Sequence, residues 1–159
     1  MEYREFPPPP EAAAHVRCVR TLRGPDPSIE SASPAATKSD DDAEPALPDR
    51  SPEPIFKVGA PFHHVAPDGT RTRQPHAFLV GQVTRPFVVQ PMRHVDLVAG
   101  RSEAHGAVLI CDDVAAISDR WVPIESQPAS GVTRLATALR HAPDAHTRLD
   151  LVGGWLIET

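Results

Sequence analysis

Histidines and carboxylates are the residues of this chain that could bind a metal ion. The sequence has eight histidines, including the adjacent pair His63-His64, and His94 precedes Asp96 by two positions. Neighbouring side chains of a strand point to opposite faces, so His63 and His64 cannot both reach one ion. His94 and Asp96 share a face but supply only two ligands, whereas zinc takes three or four. The spacing therefore predicts no metal site.

The sequence also lacks the motifs expected of an enzyme with a catalytic nucleophile. Cys111 stands directly before two aspartates, and nearby carboxylates disfavour a reactive thiolate. The sequence has no G-x-S-x-G motif for a serine nucleophile. Gly81, Gly100 and Gly106 are too scattered for a phosphate-binding loop. We therefore predict no catalytic residue and no cofactor.

Recognition of a small molecule is the chemistry that the sequence favours, and residues 73–91, RQPHAFLVGQVTRPFVVQP, carry it. Two apolar runs flank residues 81–86 and predict two strands and a turn. Phe78, Val80 and Gln82 share one strand face. An amide among apolar groups can orient a ligand in a pocket. The alternative is that Gln82 simply bonds to backbone or water at a strand end.

The preceding strand, EPIFKVG at residues 53–59, adds two candidates. Glu53 can point inward and recognise a cationic or hydroxylated ligand, or it can be a solvated strand end. Phe56 can line the same cavity or belong to the core. Arg101 can pair with an acidic ligand or form a surface salt bridge. The predicted ligand-binding residues are Glu53, Phe56, Phe78, Val80 and Gln82.

These residues must be positioned by short strands. Alternation predicts a first strand within residues 14–23, with a helix as the competing interpretation, and another strand over residues 94–101. Pro67-Asp68-Gly69 predicts a turn, because proline presets φ and glycine accepts a positive φ. Four to six short strands with turns between them indicate a small antiparallel barrel or sandwich.

The last third of the chain changes to a helical period. Residues 131–142 form an amphipathic pattern, and Pro143 is expected at the first position of a second helix. Gly153-Gly154 should weaken that helix by about 1 kcal/mol each relative to alanine. The apolar stripes predict either a dimer face or a surface that packs on the strands. The residues of that predicted face are Leu135, Leu139, Leu149, Val152 and Trp155.

Prolines and acidic residues concentrate between the first strand and residue 54. Residues 25–54 contain seven prolines and eight acidic residues against two basic ones. The net charge of this segment is therefore more negative than the net charge of −5 of the whole chain. We expect residues 25–52 to be a disordered loop, since such a composition cannot bury enough apolar surface. The other residues are nearly neutral and contain no basic stripe, which argues against nucleic-acid binding by this chain alone.

Targeting signals are absent from the sequence. The N-terminus, MEYREFPPPP, has neither a basic nor an apolar signal region. No apolar run approaches the roughly 18 residues of a membrane span. With two cysteines in the chain, we expect a cytoplasmic protein with free thiols.

Several segments, taken in order, resemble the N-terminal sensor region of AraC-type transcriptional regulators, in an uncharacterised subgroup. They are YREFPPPPE, then LPD and PEPIFKVGAPFHHVAPDGTRTRQPHAFLVGQVTRPFVVQP, then SDRWVPIE and APDAHTRLDLV. The resemblance covers most of the chain outside residues 25–46. REFPPPP and QPHAFLVGQ are its most specific pieces.

The resemblance implies an α+β fold, a small antiparallel cupin-like β-barrel followed by two C-terminal helices that dimerise or dock. The expected organisation is an arm and first strand at 1–24, the loop at 25–52, a barrel core at 53–110 and a helical region at 111–159. The expected function is ligand sensing and dimerisation, truncated before a DNA-binding domain. Expected partners are an unknown small molecule and a second copy or a full-length regulator. A cupin-like isomerase and a non-functional fragment are the alternatives.

Overall fold

The computed structural model describes residues 1–24, 44–46, 50–91, 94–103, 105–106, 111, 113, 115–124 and 131–158. Within these residues the chain is α+β, with ten strands and two α-helices. The strands are β1 (Glu2–Phe6), β2 (Val16–Arg23), β3 (Glu44–Ala46), β4 (Glu53–Lys57), β5 (Phe62–Val65), β6 (Arg71–Arg73), β7 (Ala77–Val80), β8 (Phe87–Pro91), β9 (Asp96–Ser102) and β10 (Trp121–Pro123). The helices are α1 (Val132–His141) and α2 (Ala145–Glu158), with 3₁₀ turns at Pro10–Ala12 and Ala115–Ile117.

The strands form two antiparallel sheets. The larger sheet has the order β1-β2-β9-β4-β7-β10, and the smaller has the order β3-β8-β5-β6. Within the described residues no strand pairing joins one sheet to the other. The predicted α+β class with antiparallel strands and two C-terminal helices is confirmed, but the strands lie in two separate sheets and do not close into a barrel.

The two predicted strands within residues 73–91 are confirmed as β7 and β8, but they do not pair with each other as a hairpin. Strand β7 pairs with β4 and β10 in the larger sheet, while β8 pairs with β3 and β5 in the smaller one. A two-residue turn keeps neighbouring strands paired. The connection at residues 81–86 is longer and ends in Pro86, and it carries the chain from one sheet to the other.

The turn at Pro67-Asp68-Gly69 is confirmed. It joins β5 to β6, which pair in antiparallel register. Gly69 has φ +83°, a conformation that favours glycine. Asp68 Oδ1 accepts a hydrogen bond of 2.9 Å from the Thr70 amide, an arrangement typical of Asx turns.

Three short strands lie where the sequence did not indicate them. Strand β1 pairs with β2 along its whole length, although its exposed polar residues give no apolar alternation. Residues 44–46, inside the expected loop, form β3 against β8. Strand β10 lies within the region expected to be helical. The remainder of the expected loop, residues 25–43 and 47–49, lies outside the described residues.

Helix α1 lies within the predicted residues 131–142, whereas α2 begins two residues after the expected Pro143. Helix α2 begins at Ala145, and Asp144 Oδ1 accepts bonds from the Thr147 amide and hydroxyl at 2.8 and 3.0 Å. Pro143 therefore precedes the N-cap and does not occupy the first helical position. The 3₁₀ turn at Ala115–Ile117 is also capped by an aspartate, since Asp113 Oδ1 accepts from the Ala116 amide at 3.0 Å.

The main core lies between the larger sheet and the two helices. Phe56 and Trp155 meet edge to face with centroids 5.3 Å apart. Leu79, Val98 and Val152 are fully buried in the same cluster. Across the described part of the chain, no helix is both long and apolar enough to traverse a lipid bilayer.

Candidate functional site: a cavity between the two sheets

A cavity of about 490 Å³ lies between the two sheets. Its apolar wall comes from both sheets, with Ile55 and Leu97 on the larger sheet and Phe62 and Val89 on the smaller one. Cavities of roughly 300–1,000 Å³ with apolar walls and a few polar groups are typical of small-molecule sites. The polar lining consists of Arg20, Ser51, Glu53, Lys57, Gln74 and Arg101.

One part of the polar lining is an ion pair between two strands of the larger sheet. Arg20 on β2 donates to the buried carboxylate of Glu53 on β4. Glu53 has 6% of its surface exposed, so the arginine provides the charge compensation that a buried carboxylate requires. Arg101 on the adjacent β9 pairs with Glu5 on β1 at 3.4 Å. Both arginines of the cavity therefore have carboxylate partners.

Lys57 at the end of β4 lies in a different environment. Its residue is 4% exposed, and its Nζ donates to Gln74 Oε1. The ammonium also lies 4.3 Å from the centroid of the Phe62 ring and 4.8 Å from that of Phe78, which are cation–π contacts. Burial lowers the pKa of Lys57 to about 7. A buried lysine of this kind is suited to an ionic or nucleophilic role.

A second cavity of about 280 Å³ adjoins the first. The two share Val80, Val83 and Phe87 as lining residues. The smaller one is also lined by His64, Asp119, Arg120 and Trp121. Trp121 packs edge to face on Phe78 with centroids 6.1 Å apart.

Asp119 fixes the connection at residues 81–86 to the edge of the smaller cavity. It has φ 56°, and its carboxylate accepts from the Thr84 hydroxyl at 2.6 Å and from the Thr84 and Arg85 amides at 2.7 and 3.1 Å. The bond from the Thr84 side chain, with those from the two amides, lowers the pKa of Asp119 to about 2. The carboxylate thus holds the segment that links the two sheets.

Of the predicted ligand-binding residues, Glu53, Phe78 and Val80 line the large cavity together. Phe56 lies on the opposite face of β4, against Trp155, because successive strand residues alternate between faces. Gln82 lies beyond the end of β7 and is not among the lining residues of either cavity. Its backbone carbonyl accepts the Asp119 amide at 2.9 Å.

Lys57, Gln74 and Arg20 were missed by the sequence prediction. A signal for Lys57 existed, since Glu53, Ile55 and Lys57 alternate along β4 and share its face. An inward Glu53 therefore implies an inward Lys57. Gln74 follows β6 in a loop, and its backbone N–H donates to the Phe62 carbonyl at 2.9 Å. No sequence pattern points to Gln74.

The residues of the predicted dimer face lie inside the protomer. Their exposed fractions run from 0 to 7%, and all belong to the main core cluster against the larger sheet. These residues are Leu135, Leu139, Leu149, Val152 and Trp155. The inner faces of both helices are thus occupied by the chain's own core, and a dimer contact through these helices would use other residues.

His94 and Asp96 do not form a cation site. Asp96 Oδ1 accepts from Arg148 Nη1 of α2 at 2.7 Å and lies 3.5 Å from Arg23 Nε of β2. The two side chains of the Asp96–Arg148 pair are 11% and 6% exposed, which makes it a buried link between helix and sheet. In the described part of the chain, no three His, Cys, Asp or Glu side chains are grouped so that they could hold a metal ion.

The site therefore combines an apolar chamber, a carboxylate compensated by arginine, and a buried amine. Such an arrangement can enclose a small organic molecule and orient it by hydrogen bonds and charge. Comparison of the chain with protein-family models, with curated proteins and with solved structures finds no significant match.

Proposed function

We propose that this chain is a small-molecule-binding sensor domain of the type found at the N-terminus of AraC-type transcriptional regulators, with an open, cupin-like arrangement of its two sheets. The cavity of about 490 Å³ between the sheets is the observation that carries the proposal. The resemblance of residues 3–11 and 47–91 to such sensor regions supports it. The proposed role is binding without catalysis, in the cytoplasm.

A route from the cavity to the helices supports a sensing role. Strand β9 contributes Leu97 and Arg101 to the cavity, and its Asp96 pairs with Arg148 of α2. A ligand that moves β9 would therefore act directly on a buried contact of α2. Coupling of this kind requires a physical element that both sites share, and β9 is such an element.

The partner in this proposal is a second copy of the chain or a full-length regulator, with which this domain would form mixed dimers. Light scattering of the domain mixed with such a regulator tests this step. A mixed species supports it, and separate species at every mixing ratio contradict it.

The test of ligand binding uses two adjacent residues of β8. Val89 lines the cavity, whereas Val88 is exposed on the other face of the strand. A thermal-shift screen of small organic acids, sugars and amines should find compounds that raise the Tm of the wild type. Val89→Trp should abolish that rise because the indole fills the chamber, while the control Val88→Trp should keep it.

Two outcomes would contradict the proposal. One is that no compound in the screen raises the Tm of the wild type. The other is that Val89→Trp and Val88→Trp keep the ligand-induced rise equally, which would place binding outside the cavity.

A further inference from the structure

The charges that line the large cavity do not balance. Its described lining residues include three cationic side chains, Arg20, Lys57 and Arg101, and one carboxylate, Glu53. An unbalanced charge is costly in a chamber with apolar walls, because water cannot solvate it well. Glu5 offsets Arg101, so the remaining excess is one positive charge, which an anion would balance.

Lys57 is the position of that excess. The two arginines have carboxylate partners in Glu53 and Glu5. Among the described residues Lys57 forms no ion pair, and its Nζ contacts only the neutral Gln74 amide and the faces of Phe62 and Phe78. Buried amines normally have a counter-ion, and here no side chain in the described structure supplies one.

We propose that the cavity is selective for small organic carboxylates, whose anion pairs with Lys57 while the apolar part lies against the phenylalanine walls. This inference rests on the proposed function, because it specifies the ligand class of the same cavity. Gln74 holds the amine in place through its Oε1. The nearby Phe62 and Phe78 rings favour a ligand with an apolar body next to the carboxylate.

Proton uptake is the signature of this arrangement. Burial lowers the pKa of Lys57 to about 7, so the amine is mostly neutral in the free protein at pH 8. A bound carboxylate stabilises the ammonium form and raises its pKa. Binding at pH 8 should therefore take up about one proton per ligand, and the affinity should fall up to about tenfold per pH unit above 7.

A pH dependence of binding that comes from other charged groups near Lys57 can be distinguished from one that comes from Lys57 itself. Arg20, Glu53 and Arg101 line the same chamber, His64 lines the adjoining one, and His76 Nδ1 lies 3.3 Å from the Lys57 carbonyl oxygen. A dependence that arises from these groups would survive in Lys57→Met. One that arises from Lys57 would be lost.

The experiment compares matched probes by isothermal titration calorimetry. Phenylpropanoate is paired with phenylpropanamide, and hexanoate with hexanamide, so each pair shares its apolar body and differs in whether the head group is an anion. We expect each carboxylate to bind at least about tenfold tighter than its amide. Repeating the titration at pH 8 in two buffers of different ionisation enthalpy measures the proton uptake.

Lys57→Met should reduce the preference for carboxylate to near onefold and remove the proton uptake. Far-ultraviolet circular dichroism and melting establish that the variant is folded. Should it not fold, the comparison of acid with amide on the wild type still tests the carboxylate preference, since it requires no variant.

Equal binding of acid and amide, absence of proton uptake, or failure of both carboxylates to bind would overturn the inference. Failure of the proposed function is distinguishable from this. If the amides bind and Val89→Trp abolishes their binding, the cavity is a ligand site and only the carboxylate selectivity is refuted.

Discussion

The two faces of the larger sheet make opposite use of the same strands. Strand β4 shows the contrast within five residues, because Phe56 lies against Trp155 under the helices while Ile55 and Lys57 line the cavity. The helix face is closely filled by apolar side chains. The cavity face keeps empty volume and four charged side chains. One face of the sheet thus provides stability, and the other is left available for binding.

The largest expected change in stability comes from alanine substitutions at two adjacent residues of β4, one on each face of the larger sheet. Phe56→Ala should lower the free energy of unfolding by about 4 kcal/mol, because it removes a buried aromatic from a filled core. Ile55→Ala should cost about half as much, since Ile55 is half-buried and borders empty volume. Urea unfolding of both variants measures the difference, and equal losses would show that the two faces are packed alike.

The second prediction tests how tightly the helix face is packed, using two adjacent glycines of α2. A Cβ on Gly153 would overlap the Pro9 ring, while a Cβ on Gly154 meets no atom within 4 Å. Gly153→Ala should therefore cost about 1–3 kcal/mol through overpacking. Gly154→Ala should stabilise the protein by up to about 1 kcal/mol through helix propensity. Thermal or urea unfolding checks both, and a stabilising Gly153→Ala would show that the arm does not pack on the helix.

The smallest expected effect concerns the cavity face. The unfolded chain holds the Lys57 proton up to its ordinary pKa, while burial lowers the folded pKa to about 7. Between these values the unfolded state binds more protons, so the contribution of Lys57 to stability becomes more favourable as pH rises. From pH 7 to pH 8 the unfolding free energy of the wild type should rise by about 1 kcal/mol relative to Lys57→Met. Urea titrations at both pH values measure this difference, and a constant difference would mean that water solvates the amine.

The helix face was more predictable from sequence than the cavity. The helical periods of α1 and α2 are local patterns, and the structure follows them. Alternation in β4 could have assigned Lys57 to the face of Glu53. Phe56 was instead assigned to the cavity because an aromatic residue suits a pocket wall and a core equally well. Which face of a strand meets the helices depends on residues far away in sequence, and period alone does not contain that information.

The pairing of β7 and β8 shows a similar limit. Residues 73–91 contain two strands, as predicted, but the partners of those strands come from residues 44–65 and 121–123. Strand β1 is held by its pairing with β2 and has no apolar pattern of its own. Such strands owe their existence to tertiary context.

The link at residues 81–86 has a mechanical consequence. It is one of several connections between the two sheets, and the Asp119 carboxylate accepts hydrogen bonds from it at Thr84 and Arg85. If the sheets move apart when a ligand enters, this connection can move only together with Asp119 or after its hydrogen bonds to Asp119 break. Because its bonds to Thr84 and Arg85 lower the pKa of Asp119 to about 2, the carboxylate stays charged at neutral and mildly acidic pH. These hydrogen bonds therefore weaken only in strong acid.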